Sequence, residues 1–380
     1  MKFTIKREIL DKAISKIDAI VPARDLQTLL SNLLVTLAKD EIHVTVSDME
    51  TTVRISCEAI CSDTGEFIVP AKKFGEMVRS ILSKEITITV NKNENADENS
   101  FAFEVQINGT ESTSAAYSLP GNTTKHFPNI NRISDSKLSR IPAALFDEMI
   151  KKSVYSISQE DNRYIYNGLC INAKGETITI IGTDGRRLAA VSRKLSEAIT
   201  FEEGADVVVH AKAIRELQKL IDGSDEVQIG IEQRDIFMKV GDAQLSSRLL
   251  EGKFPDYQKV LPQHNSINLE FNREKLLNAL SQMKPISEAP SYQCRFTLEN
   301  NELLITAQST GQASRGSAKI PADYNGEKME IGFNILYMLD ILKALTSNHV
   351  KLSMNDSNKP IVVHDLDDAD FIALVMPMKI

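Results

Sequence analysis

Apolar residues return at helical spacing in three stretches that open alike. Residues 3–17 read FTIKREILDKAISKI, residues 141–154 IPAALFDEMIKKSV and residues 269–283 LEFNREKLLNALSQM. Each is a short extended lead-in, a polar or acidic start, then one amphipathic helix. In the first, Ile9, Leu10, Ala13, Ile14 and Ile17 form the stripe. A second match lies inside each third: FIVPAKKFGEMVRSI at 67–81, VVVHAKAIRELQKLI at 207–221 and MEIGFNILYMLDILKAL at 329–345. These are β-rich runs that break into a helix. Alternating runs such as Ile86-Thr87-Ile88-Thr89-Val90 and Thr177-Ile178-Thr179-Ile180-Ile181 read as half-buried strands. Asn108-Gly109, Asp184-Gly185 and Asn325-Gly326 read as turns between strands.

The openings recur roughly every 130 residues, a domain-sized period. Each third is expected to hold two helices and about eight short strands, which is α+β rather than βαβ alternation. The fold class is therefore α+β: three tandem similar domains, each with two helices packed on antiparallel sheets. The polar, Pro-interrupted joints at 126–139 and 261–268 place the domains at 1–126, 135–261 and 268–380. The run NKNENADENS at 91–100 reads as a solvated hairpin loop.

Composition narrows the class. The chain has 380 residues, 42% apolar and 25% charged, enough for several cores and too apolar for disorder. Lys+Arg 44 against Asp+Glu 52 gives a net charge of −8, which argues against a basic coat for nucleic acid. Four cysteines in no framework spacing suit a reducing compartment. Charge at Lys2, Lys6 and Arg7 comes too early for a signal peptide, and no apolar run approaches ~18 residues. A soluble intracellular protein without a membrane partner is expected.

The positive charge that exists gathers on the predicted helices: Arg7, Lys12 and Lys16; Lys72, Lys73 and Arg79; Lys151 and Lys152; Lys212, Arg215 and Lys219; Arg273 and Lys275. Lys212, Arg215 and Lys219 stand at i, i+3 and i+7, opposite Ile214, Leu217 and Ile221. Such stripes let an acidic protein hold a polyanion on one surface. The last helix departs, with Lys343 beside Asp340.

TDGRRLA at 183–189 adds a specific signal, joined by LEGKFPDYQKVLP at 250–262 and VMPMKI at 375–380. With VPAKKF at 69–74 and EIGFN at 330–334, the whole chain resembles the bacterial DNA polymerase III beta subunit, the replicative sliding clamp. The resemblance implies a head-to-tail homodimer closed as a ring, with helices lining the hole around duplex DNA. It implies no catalysis, no cofactor and no metal. The implied partners are sequence-nonspecific duplex DNA, the replicative polymerase catalytic subunit, a clamp loader, and other polymerases and repair proteins that present short peptide motifs. The implied location is cytoplasmic and nucleoid-associated.

By position, the family's peptide pocket maps onto Tyr166, Thr183, Gly185, Arg186, Arg187, Leu188, Pro255, Val260, Asn334, Tyr337, Pro360, Val375, Met376, Pro377 and Met378. Leu188, Val260 and Val375 would be apolar wall, and the methionines adaptable wall. The candidate DNA contacts are Lys12, Lys16, Lys72, Lys73, Arg79, Lys151, Lys152, Lys212, Arg215 and Lys219 from the helix stripes, and Arg24, which matches a family position that reaches DNA from a loop. Two single residues and one short stretch depart from the family pattern. Tyr166 stands for an aliphatic residue, His210 for a proline, and Thr113-Ser114-Ala115 for basic and aromatic dimer contacts.

Two rivals are weaker. An enzyme would need a nucleophile elbow, phosphate loop or H-E-x-x-H helix, and none is present. Cys57 and Cys61 form a lone C-x-x-x-C, and the acidic run at 364–370 lacks the glycine turn of a calcium loop, so it reads as a hairpin turn. A monomeric peptide-binding adaptor would keep the pocket and lose the ring.

Overall fold

The computed structural model describes residues 1–18, 20–21, 30–94, 101–111, 115–128, 130–131, 133–199, 206–262, 264–309 and 314–379. Its α-helices are α1 (Arg7–Ile17), α2 (Ala71–Ser80), α3 (Ala143–Ser153), α4 (Ala211–Ile221), α5 (Arg273–Met283) and α6 (Ile335–Ala344). Each follows a strand with no intervening loop: Lys2–Lys6, Gly65–Pro70, Ser139–Pro142, Val207–His210, Ile267–Asn272 and Met329–Asn334. The switch from period 2 to period 3.6 in each repeated lead-in is the cause. Asn272 and Asn334 mark two switches by capping, their side chains accepting from the Lys275 and Leu336 amides at 3.0 and 2.9 Å. In α1, Leu10, Ala13, Ile14 and Ile17 are buried, as their spacing predicts.

The residues gather into two compact bodies, 1–144 with 212–249, and 145–211 with 250–380. In the first, an eight-stranded sheet joins strands of the first third to strands of the middle third. Ala243–Arg248 pairs antiparallel with Thr51–Glu58, from Ala243 opposite Ile55 to Ser247 opposite Thr51. A five-stranded sheet in the same body ends at the edge strand Ala116–Gly121.

The second body repeats the plan. Its eight-stranded sheet joins Arg187–Lys194 of the middle third to Asp368–Val375 of the last, from Arg187 opposite Val375 to Val191 opposite Phe371. Its four-stranded sheet ends at the edge strand Arg315–Pro321. In both joints the last strand of one third meets the third strand after the first helix of another.

The first third carries one strand beyond the expected eight, the two-residue Ile60–Cys61. Asn108-Gly109 is not a turn: both lie in the strand Phe103–Gly109, with Gly109 opposite Ile86. The polar run begins in a strand, since Asn91 and Lys92 end Glu85–Lys92, which pairs with Phe103–Gly109; its residues 95–100 lie outside the described set. The acidic run at 364–370 is a hairpin, between Ile361–Asp365 and Asp368–Val375. No described helix is long and apolar enough to cross a membrane.

Candidate functional site

The TDGRR segment is a locked turn between the strands Thr177–Thr183 and Arg187–Lys194. The Arg186 and Arg187 amides donate to Asp184 Oδ1 at 2.8 and 2.9 Å, and the Thr183 hydroxyl donates to the Arg187 carbonyl at 2.7 Å. Gly185, at φ +80°, takes the left-handed position that other residues adopt only under strain. The same carboxylate of Asp184 holds Arg187 Nε at 3.2 Å, while Arg187 Nη1 reaches Asp340 on α6 at 2.6 Å. The guanidinium lies 4.5 Å from the Tyr337 ring centroid and 5.9 Å from that of Tyr155. Arg187 therefore ties the turn to α6. The Tyr155 hydroxyl is buried and has no hydrogen-bond partner among the described residues, and burial pushes the phenol up.

Beside this turn opens an apolar cleft of ≈ 130 Å³. Thr183, Gly185, Arg187 and Leu188 form one side and Tyr166 another. Pro255, Asp256, Tyr257 and Val260 close it from a loop, and Leu374 and Met376 from the last strand and the tail. Its floor is a buried cluster that includes Ile181, Leu188, Phe254 and Leu374, with Tyr166 packed edge-on against Phe254 at 6.3 Å. Val260 and Met376 stay 50% and 39% exposed, unusual for large apolar side chains, and so offer surface to a guest.

Other expected pocket residues have different work. Asn334 caps α6, and Val375 and Pro360 are buried. Met378 lies beyond the cleft, its amide donating to the Gly332 carbonyl at 2.7 Å, and Pro377 links it to Met376. Arg186 is not a lining residue; it pairs with Glu160 at 3.4 Å, and a hydrogen bond with Tyr337, with Glu160 and Asp184 beside it, raises its pKa. Tyr337 is not a lining residue, and its ring stacks on Arg187, which is. Asp256, Tyr257 and Leu374 are lining residues that the sequence reading missed, although Asp256 and Tyr257 fall inside the LEGKFPDYQKVLP run.

The basic residues divide. Lys12, Lys72, Lys73, Lys151, Arg215 and Lys219 are exposed, and Lys16 is half-buried. Lys219 pairs with Glu216 at 2.8 Å, Lys151 with Asp147 at 2.6 Å, and Lys212 with Asp48. Arg79 is shared between Asp11 and Asp18, each at 3.8 Å. Arg24 lies outside the described residues. Lys152 corrects the expectation: it is 3% exposed, bonded to Asp368 at 2.5 Å and Glu148 at 3.1 Å. Arg193 joins the same two carboxylates at 2.5 and 2.8 Å. Burial alone would raise Asp368 and Glu148, yet hydrogen bonds from Arg193 and Lys152 carry both below their ordinary range. Arg273 is internal too, donating to the Ser347 and Leu342 carbonyls.

Profiles of the N-terminal, central and C-terminal domains of the DNA polymerase III beta subunit match residues 1–131, 140–256 and 258–379. The chain belongs to the DNA polymerase III beta subunit family. The beta sliding clamp of Pseudomonas aeruginosa is 30% identical over 383 residues, covering 100% of both chains. That of Escherichia coli is 28% identical over 386 residues, also covering 100% of both. The crystal structure of the P. aeruginosa DNA polymerase III subunit beta superposes with a TM-score of 0.90 at 28% identity, covering 100% of both chains. A P. aeruginosa sliding clamp bound to griselimycin gives 0.88, with the same coverage and identity.

Proposed function

We propose that this beta subunit works as a dimeric ring that encircles duplex DNA and tethers the replicative polymerase and other DNA-processing proteins by short peptides. Its domains run 1–126, 135–261 and 268–380, and it tethers rather than catalyses, in the cytoplasm. The observation that carries the reading is the cleft. Tyr166, Thr183, Gly185, Arg187, Leu188, Pro255, Val260 and Met376 come from distant segments and converge on one apolar opening. Two large side chains of a guest buried there contribute roughly 3–6 kcal/mol. Contacts made by the rest of the peptide add to these anchors and ordering it takes part of the gain back; an affinity near micromolar, about −8 kcal/mol in all, leaves partners able to exchange.

The repeat supports the ring. Two of three equivalent strand joints are made within the chain, and the strands left for the third, Ala116–Gly121 and Arg315–Pro321, are both sheet edges. Pairing Arg315–Pro321 of one copy with Ala116–Gly121 of another would complete the pattern, since an unpaired edge is a template for a further strand. Exposed lysines and arginines on α1, α2, α3 and α4, together with Arg24, supply phosphate contacts that carry no sequence preference.

A fluorescently labelled peptide with one glutamine, two leucines and a phenylalanine tests the cleft. It should bind near micromolar, and Met376→Ala should weaken it about tenfold through the lost wall. Equal affinity for parent and variant would remove the cleft from partner binding.

A further inference from the structure

The sheet that floors the cleft continues past it, and its side chains change character in rows set by strand register. Cys170, Ile181 and Ala190 form a buried row, Asn172, Thr179 and Ser192 a polar row, and Lys174, Thr177 and Lys194 an outer row. A second cleft, ≈ 620 Å³, lies over the polar row and shares Pro255, Asp256 and Tyr257 with the first. The two openings are thus one track, apolar at one end and polar at the other. The carboxylates of the polar end are occupied. Asp206 accepts from Asn172 at 2.6 Å, and Asp256 pairs with Lys259 at 3.2 Å. Lys174 and Lys253 line the cleft, are exposed, and make no ion pair among the described residues.

We propose that the second cleft takes an acidic stretch of the same partner segment whose apolar side chains fill the first. This rests on the peptide-binding reading above and adds a specificity rule to it. Carboxylates passing over Pro255 to Tyr257 would meet the Thr179–Ser192 pair, whose hydroxyls bond each other at 2.8 Å and leave one proton to donate. Lys174 and Lys253 would then supply the compensating charge. A segment with a basic flank would face two unpaired ammonium groups and bind more weakly.

The test compares three labelled peptides on the full-length protein: the apolar peptide above, and the same peptide with four aspartates added before or after it. One of the flanked peptides should bind about fivefold more tightly than the plain one, as expected for two exposed charge pairs. The advantage should vanish in about 0.5 M salt, where such pairs are screened. It should also vanish in the Lys174→Glu/Lys253→Glu double variant, which should bind the plain peptide as the parent does. If neither flank helps, or the advantage survives in the double variant, the proposal is wrong and the apolar cleft stands. If no peptide binds the parent, both readings fall.

Discussion

Asp368 gathers more charge than any other residue of the acidic hairpin, since Lys152 and Arg193 both converge on it. Removing one partner of a buried ion cluster leaves the others uncompensated, so Asp368→Asn should cost about 3 kcal/mol at pH 7. The folded values of Asp368 and Glu148 both lie below the ordinary ones. The stability they carry is therefore complete above about pH 4–5 and drains as the pH falls through the folded values. Urea denaturation of parent and variant should show a wide gap at pH 7 that closes at lower pH; a gap independent of pH would contradict this assignment. In the cleft, Met376 is the wall and Met378 lies beyond it. Met376→Ala should weaken peptide binding about tenfold and Met378→Ala by less, read by fluorescence anisotropy.

Among the elements, α4 shows most plainly how a helix divides its work. Ile214 and Leu217 are fully buried on one side, while Arg215 and Lys219 are exposed on the other. Reversing Arg215 to glutamate should leave the melting temperature within a degree or two, because it is exposed and makes no ion pair among the described residues, whereas Lys219 compensates the buried Glu216. It should reduce retention on circular duplex DNA at low salt, with peptide affinity unchanged. Unaltered retention would take Arg215 out of the DNA path. The tail acts as an added length of strand: the Met376 amide donates to the Arg186 carbonyl at 2.8 Å, and that of Met378 to Gly332. Deleting 376–380 should therefore remove both a cleft wall and the strap across the sheet edge at Gly332.

At the scale of the whole molecule, Ala116–Gly121 and Arg315–Pro321 are the edges that a third joint would use. Light scattering over a dilution series should report twice the chain mass at micromolar concentration, and a chain-sized particle throughout would favour the monomeric adaptor. Thr113 and Ser114, the departures from the family pattern, lie outside the described residues, and Ala115 leads into the edge strand Ala116–Gly121. That strand carries no charged side chain, whereas Arg315–Pro321 carries Arg315 and Lys319. With no opposite charges facing each other along these two strands, the seam should depend little on salt. A dimer that dissociates steeply between about 0.1 and 1 M salt would show that other charged groups hold it.

The repeat of strand, helix and strand was legible from residue order alone, because periodicity of 2 or 3.6 is a local property. So was much of the cleft, since TDGRRLA, LEGKFPDYQKVLP and the tail each mark one wall, and the resemblance told that they belong together. Accessibility was not legible. Lys151 and Lys152 are neighbours in one helix with the same charge, yet one is exposed and the other 3% exposed. The difference comes from Asp368, 216 residues away, which the hairpin carries to α3. Arg187 is likewise fixed by Asp340 on a helix 153 residues further on. Asn108-Gly109 has the composition of a turn and lies in a strand because Gly109 is paired with Ile86. Local sequence determines the repeated helices and which face of each is apolar; whether a turn-like pair ends a strand, and what a charged side chain is free to touch, are decided only when other strands bring its neighbours, because pairing and desolvation depend on distance in space.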